Sequence, residues 1–238
     1  MKLDILCLAA HPDDVELGCS GTILHHKKLG KKIGVIDLTQ GELGTRGSAE
    51  LRMIESENAS KIMQLDAREN LKMADGFFEN NQENKIKIIE CIRKYQPEII
   101  IANAISDRHI DHGRASALVH DAAFLSGLKK IETFQNGKIQ EAWRPKNILH
   151  YIQDYLIKPD LLVDITDYMD TKIEIIKCFS SQFYDKKTNE KETPISVDYF
   201  FDYVKGRAMD FGRFSGVKYA EGFNVSKPIS LSDITLIS

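Results

Sequence analysis

A chain of 238 residues suits one domain rather than two, and 42% hydrophobic with 28% charged residues is the balance of a globular protein with a sizeable core. A formal net charge of -3 supplies no basic field for nucleic acid or an anionic membrane. Cys7, Cys19, Cys91 and Cys178 are scattered without a C-x-x-C pair, which argues against a disulfide framework and against a cysteine zinc site.

The apolar stretch at residues 5–10 is too short for a signal sequence, and no later run approaches the ~20 residues of a membrane helix. A reducing cytoplasm is the expected compartment. Residues 3–10 read as a buried strand, and residues 21–29 as a short helix ended by Gly30. Residues 32–39 form a second expected strand, followed by a glycine-rich loop at 40–47. Ser48 is the expected N-cap of a helix with Leu51, Ile54, Ile62 and Leu65 on its inner face. Residues 68–72 suggest a third short strand.

Ile86, Ile89 and Ile92 recur at helical spacing over residues 85–95, and Pro97 stops that helix. Residues 98–102 give the clearest strand, followed by a loop at 103–113 and a helix running through Leu125. Residues 147–153 and 161–165 suggest two more strands. Helix is expected from 167 to about 184 and from 197 to 211, a solvated lysine-rich loop at 185–192, and an irregular tail after Gly216. This alternation predicts a single α/β domain over residues 1–238, Rossmann-like, with a mostly parallel sheet covered by helices on both faces.

Ligands in such sheets bind at the carboxyl ends of the strands. Two polar clusters fall at that edge: His11-Pro12-Asp13-Asp14-Val15-Glu16 after the first strand, and Asp107-Arg108-His109-Ile110-Asp111-His112 after the strand at 98–102. Histidine and aspartate stand where a dinucleotide site requires glycine, and their negative charge repels phosphate. Imidazole and carboxylate together suit zinc, which in catalytic sites keeps three protein ligands and an open position. A further carboxylate near the water then serves as general base. Taken singly, Asp13 or Asp14 reads as a helix N-cap, and His109 or His112 as an ordinary hydrogen-bonded histidine. Two clusters at neighbouring strand ends outweigh those readings.

The string A-H-P-D-D-V-E at residues 10–16, with Gly18, Gly21 and Thr22, and H-x-D-H at 109–112 together resemble the signatures of the PIG-L/LmbE-type deacetylase family. Further matches at 37–47, 75–78, 102–104, 151–153, 181–184 and 219–223 resemble the branch that deacetylates N-acetylglucosaminyl-L-malate in bacillithiol biosynthesis. The resemblance implies zinc ligands His11, Asp14 and His112, with Asp13 as general base and His109 stabilising the oxyanion. It also implies substrate contacts by Arg52, Asp75 and Glu42, with Tyr199 near the oxyanion and Arg144 at the pocket rim. Read without it, Arg52 is a solvated helix charge paired with Glu55, and Glu42 and Asp75 are turn residues. Ile110 departs from the family, which has proline there.

The implied reaction releases acetate from a small glycoside, with no nucleic-acid or membrane partner. The resemblance allows for a homo-oligomer, and iron(II) suits the same ligands as zinc. Arg46, Arg108 or Arg144 would favour the dicarboxylate of malate. Competing expectations are a deacetylase of another N-acetylglucosamine compound such as diacetylchitobiose, a non-catalytic nucleotide-binding module, and an interaction protein with incidental histidines.

Overall fold

Strand β1, Ile5–Ala9, is buried along its whole length, so its apolar run faces packing partners on both sides. Its side chains alternate: Leu6 and Leu8 enter one core, and Ile5, Cys7 and Ala9 the other. The computed structural model describes residues 1–183, 191–233 and 235. After β1 come α1 (Asp14–Lys28), β2 (Ile33–Thr39), α2 (Ala49–Met63), β3 (Ala67–Met73), α3 (Gln82–Tyr95), β4 (Ile99–Ala102) and α4 (Ile110–Leu125). A small hairpin, β5 (Phe134–Gln135) and β6 (Lys138–Ile139), precedes β7 (Asn147–Tyr151) and β8 (Leu161–Asp164). Helices α5 (Met169–Lys177) and α6 (Phe200–Ser215) lead to β9 (Ala220–Val225).

Seven strands form one sheet in the order β3-β2-β1-β4-β7-β9-β8. The pairings from β3 through β7 are parallel, and β9 runs antiparallel to both β7 and β8. One core packs Ile88 and Ile92 of α3 and Leu118 of α4 on the sheet; the other packs Ile23 of α1, Met63 of α2 and Ile175 of α5. The α/β architecture expected from the alternation is the one observed. No helix of the described residues is long and apolar enough to cross a membrane.

Several local expectations are corrected. Helix α1 starts at Asp14, directly after the first polar cluster, and is broken inside by Cys19 (φ -149°). The helix expected over residues 21–29 covers only the half after this break. Ser48 does cap α2, accepting from the Leu51 N–H at 3.2 Å, yet Leu51 is 41% and Ile54 56% exposed. The buried face of α2 is instead polar in its first half, with Arg52, Glu55 and Ser56, while Ile62 and Leu65 pack on the core beside Ala59 and Met63 as expected. Helix α4 begins at Ile110, so His112 stands in its first turn rather than in a loop. The helix expected to reach residue 184 ends at Lys177, where the chain turns so that the Ser180 and Ser181 hydroxyls donate to Glu55.

The tail after Gly216 is irregular only in part: Ala220–Val225 forms β9, one residue of which, Phe223, is fully buried in the core. The hairpin β5–β6 was also missed, although Asn136-Gly137, both at positive φ, is the usual signal for a two-residue turn. Most of the lysine-rich loop at 185–192 lies outside the described residues.

Candidate functional site

From β1 the sheet grows through β2 to β3, and β4 then returns to the other side of β1. A crevice opens at such a reversal, and the loops after β1 and β4 face each other across it. The side chains gathered there line a cavity of about 1220 Å³, including His11, Asp13, Asp14, Arg52, Asp75, His109 and His112.

Each of two histidines is held on one ring nitrogen by carboxylates. His11 Nε2 lies 3.1 Å from Asp75 Oδ1 and 3.2 Å from Asp111 Oδ2. His112 Nδ1 lies 2.5 Å from Asp107 Oδ2. Such outer partners fix the tautomer and the ring plane. The remaining nitrogens converge on one carboxylate: His11 Nδ1 is 3.5 Å from Asp14 Oδ2, and His112 Nε2 is 3.1 Å from Asp14 Oδ1. Donors about 2.0–2.1 Å from a tetrahedral zinc stand about 3.3 Å apart, which the two contacts to Asp14 match, and imidazole with carboxylate is zinc's donor chemistry.

Asp14 is itself steadied. Its Oδ2 accepts from the His11 N–H (2.9 Å) and from Asn103 Nδ2 (2.9 Å), and its Oδ1 accepts from Gln153 Nε2 (3.0 Å). Burial opposes its charge, but His112 and His11 hold its carboxyl well below the usual range. Burial likewise works against a charged His112, and the Asp14 and Asp107 carboxylates outweigh it, pushing the imidazole up to about 9. Two sets bring all their ligand atoms within 4.8 Å of one another, His11 with His109 and His112, and His11 with Asp75 and Asp111. In that last group Asp75 accepts from the Leu43 N–H, and Asp111 from the Gly76 N–H and Arg114, so both carboxylates act as supports for His11.

Asp13 behaves differently from its neighbour. It sits at the N-cap position of α1 without a side-chain capping bond, and its φ of 121° is one that residues other than glycine rarely adopt. Strain of that kind costs about 1–3 kcal/mol and tends to mark functional positions. Burial pushes its carboxyl up to about 7 against the pull of Arg52. His109, at the N-cap position of α4, accepts the Asp111 N–H on Nδ1 at 3.2 Å, so Nε2 carries the proton of the neutral ring. Burial, then His11 and His112, lower its pKa and favour that neutral form.

Arg52 is buried and turned into the cavity rather than paired with Glu55, which accepts from Ser180 and Ser181. Its Nη2 donates to Gln182 Oε1, and its Nε has no hydrogen-bond partner among the described residues. Gly41 and Gly44 let the loop after β2 pass this guanidinium, since a Cβ on either would stand 2.4 or 2.8 Å from it. Glu42 is exposed and does not line the cavity; its Oε1 accepts the Asp75 N–H at 2.9 Å and so supports Asp75.

Two residues are not brought in. Arg144 does not reach the cavity: its Nη2 donates to the Phe124 carbonyl, and its guanidinium covers the Phe124 ring. Tyr199 is half exposed and meets Tyr203 edge-on at 5.3 Å, and it is Tyr203 that lines the cavity. Of the arginines expected near an anionic group, only Arg108 lines it, paired with Asp154. Asn103, Asp107 and Gln153 went unassigned, yet each is a polar residue just beyond a central strand, the signal that would have found them.

Residues 6–123 match the PIG-L family, described as GlcNAc-PI de-N-acetylase. Diacetylchitobiose deacetylase of Thermococcus kodakarensis is 28% identical over 229 residues, spanning 92% of this chain and 81% of that protein. Among solved structures, the conserved protein TT1542 from Thermus thermophilus aligns with a TM-score of 0.86 and 32% identity over 98% of both chains. N,N'-diacetylchitobiose deacetylase from Pyrococcus horikoshii, complexed with its inhibitor MPG, aligns with a TM-score of 0.77 and 26% identity over 93% of this chain and 82% of that one. These matches and the architecture of the sheet make the chain a deacetylase of the PIG-L family.

Proposed function

We propose that the chain is a zinc hydrolase that removes the acetyl group from N-acetylglucosaminyl-L-malate in bacillithiol biosynthesis. The observation that carries this reading is the convergence of His11 Nδ1, His112 Nε2 and the Asp14 carboxylate beside Asp13 in one cavity. His11, Asp14 and His112 hold the metal in this account. Zinc there supplies Lewis acidity toward the acetyl carbonyl and acidifies the attacking water.

The chain's own groups do the rest. Asp13, with a carboxyl near neutrality, takes the proton of the water as it attacks. His109 offers its Nε2–H to the oxyanion that forms. Asp13 or His109 then protonates the departing amine, and acetate leaves with the free amino sugar. Arg52 and Asp75, which also line the cavity, hold the sugar hydroxyls. A reducing cytoplasm suits the free Cys7, Cys19, Cys91 and Cys178.

Support for the malate conjugate comes from two cationic side chains of the cavity, Arg108 and Arg207, which suit an anionic aglycone. The competing reading, diacetylchitobiose, is favoured by the two relatives named for that substrate. Measuring kcat/KM for acetate release from both compounds separates them. A preference of about tenfold or more for the malate glycoside is expected. The reverse preference moves the assignment to chitobiose, and release from neither overturns both.

A further inference from the structure

Helix α1 carries the Asp13–Asp14 turn at its start, and Cys19 breaks it within two turns. An unbroken helix would join the Gly21 N–H to the Leu17 carbonyl, four residues back. Here the Gly21 N–H instead donates to Glu221 Oε1 at 3.0 Å, and the Thr22 N–H to Glu221 Oε2 at 2.7 Å. The Leu17 carbonyl accepts from Lys172 Nζ at 2.7 Å, and Lys172 pairs with Glu221 Oε1 at 2.6 Å. Two N–H groups and one carbonyl of the helix are therefore taken up by a buried ion pair, from β9 on one side and α5 on the other. Both side chains are almost fully buried, at 3% and 4% exposure, where a charge left single is strongly unfavourable.

The break also has a fixed place. A Cβ at Gly18 would stand 2.4 Å from the Tyr151 ring, and one at Gly21 2.8 Å from Ile165, so both sides of the kink lie hard against their neighbours. Ser20 Oγ donates to the Glu16 carbonyl at 2.6 Å, satisfying a further group near the break. The half before the kink is held by Glu16, whose carboxylate meets Arg68 at 2.6 Å, and it ends in the Asp13–Asp14 turn. The half after it packs Ile23 into the core. A kink caused by side chains inserted into the ladder sets the angle between the two halves.

We infer that Lys172 and Glu221 are positioning residues for the hydrolytic site, setting the angle of the first half of α1 and so the aim of Asp13 and Asp14. The inference rests on the roles of those two aspartates proposed above. Neither Lys172 nor Glu221 acts on the substrate in this account; each acts through the helix.

The test compares Glu221→Gln, Glu221→Asp and the double variant Lys172→Met/Glu221→Met with wild type, all at a temperature where each is folded. Zinc affinity, read by chelator competition, is expected to weaken about tenfold in Glu221→Gln and kcat to fall by about 10–100-fold with KM little changed. Glu221→Asp, which keeps the charge, recovers part of both. Arg93→Met, which removes a buried clamp on the segment after α4, serves as a control for destabilisation alone and leaves zinc affinity and kcat unchanged. In a crystal structure of the double variant, Cys19 turns helical, the Gly21–Leu17 hydrogen bond forms and the Asp14 carboxylate shifts. Unchanged zinc affinity and kcat, or a double variant with Asp14 unmoved, overturns the inference. Wild type without deacetylase activity sinks the proposed function instead, and the structural comparison still decides this one.

Discussion

Two helix N-termini carry the convergent donors of the site, and they are aimed in opposite ways. Helix α4 runs unbroken from Ile110 to Leu125, with His109 at its N-cap and His112 one turn in, so a local motif is enough to aim its histidines. Helix α1 starts in a strained turn at Asp13, breaks at Cys19 and needs residues from α5 and β9 to complete its backbone hydrogen bonding. Short-range sequence therefore aims one half of the site, and long-range packing aims the other. Changes on the α4 side should act through ligation alone, whereas changes on the α1 side should trade stability against chemistry.

The largest expected effect makes the two sides look alike. Asp14→Ala and His112→Ala each remove a donor from the convergent set, and both should purify without zinc and lose activity by at least about a thousandfold. Metal analysis beside the kinetic assay checks this, and a zinc-replete His112→Ala would break the ligand assignment. The next effect is smaller and sharper. Gln153→Ala removes the amide that bonds Asp14 and approaches His112, so zinc affinity should fall about tenfold with the zinc-loaded kcat nearly preserved. Arg52→Ala should raise KM more than it lowers kcat, because the guanidinium faces the cavity without contacting the convergent donors.

An effect on stability runs in the opposite direction. Asp13→Gly relieves the positive φ and removes a buried carboxyl, and should stabilise the protein by about 1–3 kcal/mol at pH 8 while abolishing turnover. Denaturant midpoints of the two proteins read it directly, and a less stable glycine variant would remove strain from the account. No comparable gain is expected on the α4 side, where His109 has an ordinary φ of -82°.

What could be read from the sequence follows the same division. The buried strands β1 and β4 announce themselves because both faces are covered and the apolar run is continuous. The clusters after them were legible because each is contiguous. The start of α1 was not, since two glycines in close succession weaken a helix signal until their close approach to Tyr151 and Ile165 is seen. The first half of the inner face of α2 was misread for a related reason: Arg52 and Glu55 are buried there because partners from 180–182 reach them, and no local pattern reports partners so distant. Strand β9 escaped as well. Its stretch Ala220-Glu221-Gly222-Phe223 carries a glycine and a buried glutamate, whose only local appearance is that of a polar tail.

The central claim is that the adjacent aspartates divide the work, Asp14 on the metal and Asp13 on the water's proton. The most direct measurement is zinc content and kcat of Asp13→Asn on N-acetylglucosaminyl-L-malate. The account predicts stoichiometric zinc with kcat reduced by about 10²–10⁴-fold. A variant that turns over at nearly the wild-type rate, or one that loses its zinc, would contradict it.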